Sequence, residues 1–178
     1  MDKMQIRQLT LDQMKSLDYE TKLSTDQILA NRLFNSNLYH DARNIGIVLS
    51  MPHEIDTKPI IQQMLNSSKR VFVPETNYET KKMDFKLLPN LDGLGTDEKG
   101  IPCVIEDTLI CNELDLLIVP GVAFNKEGYR IGYGGGFFDR FISQYKPKTI
   151  SLVYDFQLKS FNHETHDQPV DSMIIAST

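Results

Sequence analysis

Glycine is spread thinly along this chain except in one place. Six of its ten glycines, at 121, 128, 132, 134, 135 and 136, fall in the string Pro120-Gly-Val-Ala-Phe-Asn-Lys-Glu-Gly-Tyr-Arg-Ile-Gly-Tyr-Gly-Gly-Gly-Phe-Phe-Asp-Arg140. Such a density calls for backbone conformations closed to other residues, or for a ligand that comes close to the main chain. An apolar run, Leu116-Leu117-Ile118-Val119, precedes the string, and Phe141-Ile142 continue it. Buried strand, glycine-rich turn and amphipathic helix in that order make a setting for phosphate. The free amides and the dipole of a helix N-terminus both favour an anion. The competing reading is a tight strand-to-helix connection without a ligand, since glycine also serves close backbone packing.

The remainder of the chain supplies alternating helices and strands. Residues 2–17 place Met4, Ile6, Leu9, Met14 and Leu17 on roughly one helix face. Asp18 is a cap for a second helix over 19–37, with Leu29 and Leu33 among its apolar positions. Ile45–Leu49 predicts a buried strand, and a helix over 57–67 carries Pro59 in its first turn, where proline is tolerated. Val71-Phe72-Val73 is the next strand, stopped by Pro74. This spacing predicts a right-handed βαβ unit in a parallel sheet. Met83–Leu88 alternates as an edge strand, and residues 89–107, rich in glycine and proline, predict a long irregular excursion of the kind that often carries function. Strands over 115–119, 149–153 and 172–176, a helix over 136–144 and a polar loop over 154–170 complete one α/β domain spanning 1–178.

Composition narrows the function. A chain of 178 residues with 40% hydrophobic and 24% charged residues is an ordinary globular domain. No apolar run reaches the roughly 18 residues of a membrane span, and the polar N-terminus predicts no signal peptide. Cys103 and Cys111 form no metal or disulfide pattern, which fits a reducing cytoplasm. The net charge of -5 argues against a nucleic-acid module. An anionic ligand must therefore be met by a local cluster of cations, amides or a metal.

Two common phosphate loops are excluded. No GxxxxGK[ST] string exists, and GxGxxG fails because residue 137 is Phe. A third kind of loop remains, with Arg130 before it and Asp139-Arg140 after it; guanidiniums suit phosphate oxygens and a carboxylate suits Mg²⁺. Ligands of open α/β sheets bind beyond the carboxyl ends of strands. Pro52-His53-Glu54, Pro74-Glu75 and Pro120-Gly121 all stand at such ends. Glu54 can hold an N–H-rich ligand or be a solvated carboxylate at a helix start. Lys3 and Arg7, at i and i+4, clamp phosphate or form a solvated face. His163, His166 and Asp167 form either a weak metal motif or a surface loop. Tyr129, Tyr133, Phe137 and Phe138 stack on a heterocycle or pack the following helix.

The string from Pro120 to Arg140 closely resembles the signature of the 5-formyltetrahydrofolate cyclo-ligase (methenyltetrahydrofolate synthetase) family. Lys3-x-x-x-Arg7 looks like its basic helix, Pro52-x-Glu54-x-Asp56-Thr57 its folate-side segment, and His166-Asp167-x-x-Val170-Asp171 its C-terminal motif. The resemblance implies a Rossmann-like three-layer α/β sandwich with a mainly parallel central sheet. It implies an ATP- and Mg²⁺-dependent ligase of one-carbon metabolism that makes 5,10-methenyltetrahydrofolate, ADP and phosphate through a phosphorylated formyl oxygen. By the same resemblance Arg130 and Asp139 are the catalytic pair, and Lys3, Arg7 and Arg130 surround the ATP phosphates. Gly132, Tyr133, Gly134, Gly135, Gly136, Phe137, Phe138, Asp139 and Arg140 form the nucleotide loop. Asp139 and Asp167 hold Mg²⁺, and Met51, Glu54 and Tyr133 line the folate pocket. The expected partners are ATP and 5-formyltetrahydrofolate, with its polyglutamate form left open, in a monomer or homodimer bound to neither nucleic acid nor membrane. Three positions depart from the family's usual residues: Asn125 for Asp, Phe137-Phe138 for two Tyr, and Asn162 for Pro. Loss of the two hydroxyls puts rate or affinity in doubt more than activity.

Overall fold

The computed structural model describes residues 1–178. Its centre is a six-stranded sheet in the order β10-β9-β6-β1-β2-β3. These strands are β1 (Asn44–Gly46), β2 (Arg70–Asn77), β3 (Lys82–Leu87), β6 (Leu116–Ile118), β9 (Lys148–Tyr154) and β10 (Ser172–Ala176). Every neighbouring pair is parallel except β2 and β3, a hairpin that places β3 antiparallel at one edge.

Side-chain alternation along the strands divides the core into two faces, as the two-residue period of a strand requires. Val71, Val73, Leu116 and Ile118 join a cluster with Leu29 and Leu33 of α2 (Tyr19–Phe34) and Ile60, Ile61 and Met64 of α4 (Lys58–Asn66). Phe72, Leu117 and Val119 point the other way, into a cluster with Phe85 and with Phe141 and Ile142 of α5 (Phe137–Tyr145). Helices thus cover both faces, and the architecture is a three-layer α/β sandwich. Ile61 is fully buried, so its truncation to Ala is expected to cost about 2–5 kcal/mol.

Helix α1 (Lys3–Ser16) begins with a capping box in which the Asp2 carboxylate accepts from the Gln5 backbone amide and the Gln5 side-chain oxygen accepts from the Asp2 backbone amide. It packs away from the main sheet. Ile6 meets Ala123 and Ile131, which belong to a small hairpin of β7 (Ala123–Phe124) and β8 (Arg130–Ile131). That hairpin is absent from the expected strand–turn–helix reading of the glycine stretch. Asn125 closes its turn: the side-chain oxygen accepts from the Glu127 and Tyr129 amides at 3.1 and 3.0 Å, and the side-chain nitrogen donates to Phe161 O at 3.2 Å. Asp lacks that donor, so the Asn at this position suits its surroundings.

Three local expectations shift. Helix α2 ends at Phe34, and a separate turn, α3 (Asn37–Asp41), starts where Ser36 accepts from the Tyr39 amide. β2 runs through Pro74 instead of stopping there. Pro74 faces Phe85, whose N–H and C=O are taken up on the far side by Asn112 Oδ1 and Cys111 N, so the missing N–H removes no ladder bond. The excursion over 89–107 contains a second hairpin, β4 (Leu94–Thr96) with β5 (Pro102–Val104).

Candidate active site

The carboxyl ends of β1, β2 and β6 open into a cavity of about 690 Å³. Val48 and Leu49 beyond β1, Pro74 within β2 and Pro120 beyond β6 line it. Helix α1, the glycine loop and the segment around Asp167 make one wall; the loop after β1 makes the opposite one. Residues separated by most of the chain meet here because parallel strands deliver all their carboxyl ends to the same side.

On the first wall, Arg130 is the central cation. Its side chain is only 6% exposed, and one terminal nitrogen lies 3.5 Å from Asp139 Oδ1. Burial pushes its pKa down from the ordinary arginine value, while Asp139 and then Asp167 push it back up. Its Nε is buried without a hydrogen-bond partner, and the guanidinium lies over the Phe138 ring at 5.4 Å. Lys3 Nζ stands 3.4 Å from Glu164 and 3.5 Å from Asp167. Arg7 Nε donates to Gly132 O at 2.7 Å. Gly134 and Gly136 hold φ of 103° and 68°, conformations that side chains rarely adopt. Asp139 sits in the first turn of α5 and accepts from the Gln168 amide at 3.1 Å.

The opposite wall is a short, closed turn. The Met51 amide donates to Glu54 Oε1 at 2.7 Å, and the Glu54 amide donates to Met51 O at 3.0 Å. Ser50 and Thr57 exchange two further bonds, each 3.0 Å. Tyr133 reaches across from the glycine loop, and its hydroxyl lies 2.7 Å from His53 Nε2. Burial and the neighbouring Glu54 carboxylate push the Tyr133 pKa up, so the phenol keeps its proton.

Every expected site residue lines this cavity except Arg140. Its guanidinium donates to Gly135 O at 2.8 Å and lies over the Phe137 ring at 5.1 Å, so it braces the loop from outside. The two Phe residues that stand in place of Tyr thus each face a guanidinium. His163 stacks flat on Tyr129 with ring centroids 3.8 Å apart, and no three His, Cys, Asp or Glu side chains converge as a metal cage. Mg²⁺ suits what is present, since it is commonly held by one or two carboxylates together with substrate phosphates. Asp139 and Asp167 both act on Arg130, and the buried, unpartnered Arg130 Nε suits an incoming anion.

The β4–β5 hairpin adds a wall that no local pattern announced. Lys99, Ile101 and Pro102 line the cavity beside Tyr78. The Tyr78 hydroxyl donates to Asp97 at 2.5 Å, and Lys99 Nζ lies over the Tyr78 ring at 4.2 Å. Glycine and proline in this segment signalled irregularity; the Tyr78–Asp97 contact that folds it onto the cavity is a tertiary event.

Known proteins resemble the chain over its length. A family model described as the 5-formyltetrahydrofolate cyclo-ligase family matches residues 1–176. The 5-formyltetrahydrofolate cyclo-ligase of Mus musculus is 27% identical over 176 residues, covering 90% of this chain and 87% of that protein. The protein of the same name from Haemophilus influenzae is 30% identical over 159 residues, covering 84% of each. The solved 5,10-methenyltetrahydrofolate synthetase of Aquifex aeolicus superposes with a TM-score of 0.85 at 25% identity, over 98% of this chain and 90% of that one.

Proposed function

The chain belongs to the 5-formyltetrahydrofolate cyclo-ligase family, ligases that convert 5-formyltetrahydrofolate to 5,10-methenyltetrahydrofolate, and from that premise we propose that its cavity does so with ATP and Mg²⁺. The observation that carries this reading is Arg130: a buried guanidinium with an unpartnered Nε, beside two carboxylates and a glycine loop.

A formyl oxygen is a poor leaving group, and Mg-ATP supplies the phosphoryl group that turns it into a good one. The chain's own part is positioning and charge stabilisation, as is general for phosphoryl transfer. Lys3, Arg7 and Arg130 hold the phosphates, and the amides of the glycine loop add neutral donors. Arg130 acts most strongly because charges interact more in a buried setting than in water. Asp139 and Asp167 hold the metal ion. On the opposite wall, Glu54 accepts from the pterin N–H groups and Met51 packs beside the ring, presenting N10 to the formyl carbon. Ile101, Pro102 and Met83 would keep water from the activated formyl carbon, where it would compete with N10 and release formate. We read the whole chain as one catalytic unit. Its two unpaired thiols suit the cytoplasm.

The test is direct. Purified protein with 5-formyltetrahydrofolate, ATP and Mg²⁺ should generate the methenyl chromophore with equimolar ADP and phosphate, and chelating Mg²⁺ or omitting ATP should stop it. Chromophore formation without ATP would sink the ATP-dependent reading.

A further inference from the structure

We infer that His53 is a positioning residue: by clasping the Tyr133 hydroxyl it holds the glycine loop against the turn after β1, so that filling one side of the cavity favours filling the other. This rests on the proposed placing of nucleotide at the glycine loop and folate beside Glu54.

The two partners differ in how they are held. His53 sits in the closed Met51–Glu54 turn, half-buried and next to Glu54. The base of that turn is locked by the Ser50–Thr57 exchange and by the Asp56 amide, which donates to the buried Asp26 at 3.1 Å. His53 is therefore a fixed post. The glycine loop has no such frame. Gly132, Gly134, Gly135 and Gly136 carry no side chains, and the loop's other side-chain tethers are Arg7 at Gly132 and Arg140 at Gly135.

Tyr133 is the one residue among them that reaches away from the loop. It remains 55% exposed, yet its hydroxyl lies 2.7 Å from His53 Nε2, with the two rings edge to face at 6.1 Å. The contact spans 80 positions of sequence and crosses from one wall to the other. Burial lowers the His53 pKa, so the imidazole is neutral, while burial and the nearby Glu54 carboxylate raise that of Tyr133, so the phenol keeps its proton; a neutral pair of this kind holds the bond in either imidazole tautomer.

A flexible loop ordered by one ligand is already ordered for the next, which lowers the entropic cost of the second binding event. Such coupling is reciprocal: each ligand must tighten the other by the same factor.

Calorimetry tests this with 5-formyltetrahydrofolate and a non-hydrolysable ATP analogue plus Mg²⁺, each titrated alone and in the presence of the other. In the unaltered protein the analogue should tighten folate binding about five-fold or more, within the usual range of coupling between sites. Tyr133→Phe and His53→Ala should each bring that factor close to unity, and the double variant should go no further. His53→Gln, whose side-chain amide can donate or accept near the position of Nε2, should keep most of it. Loss of a direct ligand contact alone would weaken binding equally with and without the second ligand, and so would leave the factor unchanged. A factor of one in the unaltered protein, or a factor kept in both single variants, overturns the inference. Glu54→Gln separates the two levels: folate affinity unchanged in that variant overturns the placing of folate, whereas weakened affinity with coupling kept in the clasp variants overturns the clasp alone.

Discussion

Arg7 and Gly132 meet across 125 positions of sequence: the Arg7 Nε donates to the Gly132 carbonyl at 2.7 Å. The bond fastens α1 to the start of the glycine loop and leaves the terminal nitrogens of the guanidinium at the cavity, one of them 4.0 Å from where a Cβ on Gly134 would stand. A helix with an ordinary polar face thereby becomes part of the cavity lining, with Lys3 and Arg7 both turned to it.

Arg7→Ala should raise the KM for ATP by about 10–150-fold, the range expected when a charge-assisted hydrogen bond of about 1.5–3 kcal/mol is lost. The KM for 5-formyltetrahydrofolate should change much less. Steady-state rates with each substrate varied in turn check this, and equal changes in both would contradict the placing of Arg7 on the nucleotide side.

Asp139→Asn removes a carboxylate that faces Arg130 at 3.5 Å and is assigned to Mg²⁺. Turnover should fall at least about 100-fold at ordinary Mg²⁺, since metal and transition-state charge are both affected, each worth several kcal/mol in such sites. Folate binding, measured without nucleotide, should be retained. Lys3→Ala should instead act mainly on the ATP KM. The reverse pattern would refute both assignments.

Gly134 and Gly132 separate strain from crowding. Gly134→Ala adds a methyl group with only the Arg7 terminus near it, at 4.0 Å, but at φ 103° the backbone cost should be at least about 1–2 kcal/mol. Gly132→Ala has no such φ, yet its Cβ would lie 3.2 Å from an Arg130 terminal nitrogen. The first substitution should weaken nucleotide binding about ten-fold through loop strain. The second should act on turnover through Arg130. Binding of an ATP analogue measured beside kcat distinguishes them.

Tyr154 ties the end of β9 to α2, donating its hydroxyl to the buried Asp26, which also pairs with Lys22 at 2.8 Å. Tyr154→Phe should cost about 1–2 kcal/mol in urea unfolding, because it leaves one buried acceptor less satisfied. Asp26→Ala should cost about 3–5 kcal/mol, since it strands Lys22, the Tyr154 hydroxyl and the Asp56 amide together. Equal effects for the two substitutions would show that Asp26 is not the hub.

The Tyr78–Asp97 contact carries a pH signature. Partial burial raises the Asp97 pKa, but the Tyr78 hydroxyl and the Ile101 and Lys99 amides outweigh it, so the net shift is downward from 3.8. Burial and Asp97 push the Tyr78 pKa up to about 12, so the phenol is the donor throughout the neutral range. A carboxyl with a lowered folded-state pKa stabilises the fold fully above its unfolded value, and that contribution is lost as pH falls through the folded value. The β4–β5 hairpin should therefore loosen only below pH 3.8. Tyr78→Phe should move the Asp97 titration, followed by carboxyl NMR shifts, back toward the ordinary value.

Strand periodicity, the capping residue Asp18, and the glycine density at 132–136 were legible because each is a statement about neighbours in sequence. They were enough to predict one α/β domain with a mainly parallel sheet and a glycine-dense turn, and the resemblance carried by the string from Pro120 to Arg140 pointed to the three-layer sandwich and the family. Local pattern also misled where the outcome depended on a partner. Pro74 reads as a strand breaker, but across from Phe85 its missing N–H costs nothing. Asn125 reads as a departure until its bond to Phe161 is seen.

Sheet order decided the rest. Parallel strands in the order β10-β9-β6-β1-β2-β3 bring loops from distant parts of the chain to one edge. Only there do Arg7 and Gly132, or His53 and Tyr133, come within hydrogen-bonding distance. Helix and strand patterns act over a few residues, whereas these contacts follow from how whole elements bury their apolar faces. The residue types needed for the site are therefore written in the sequence, and which of them touch is settled by packing.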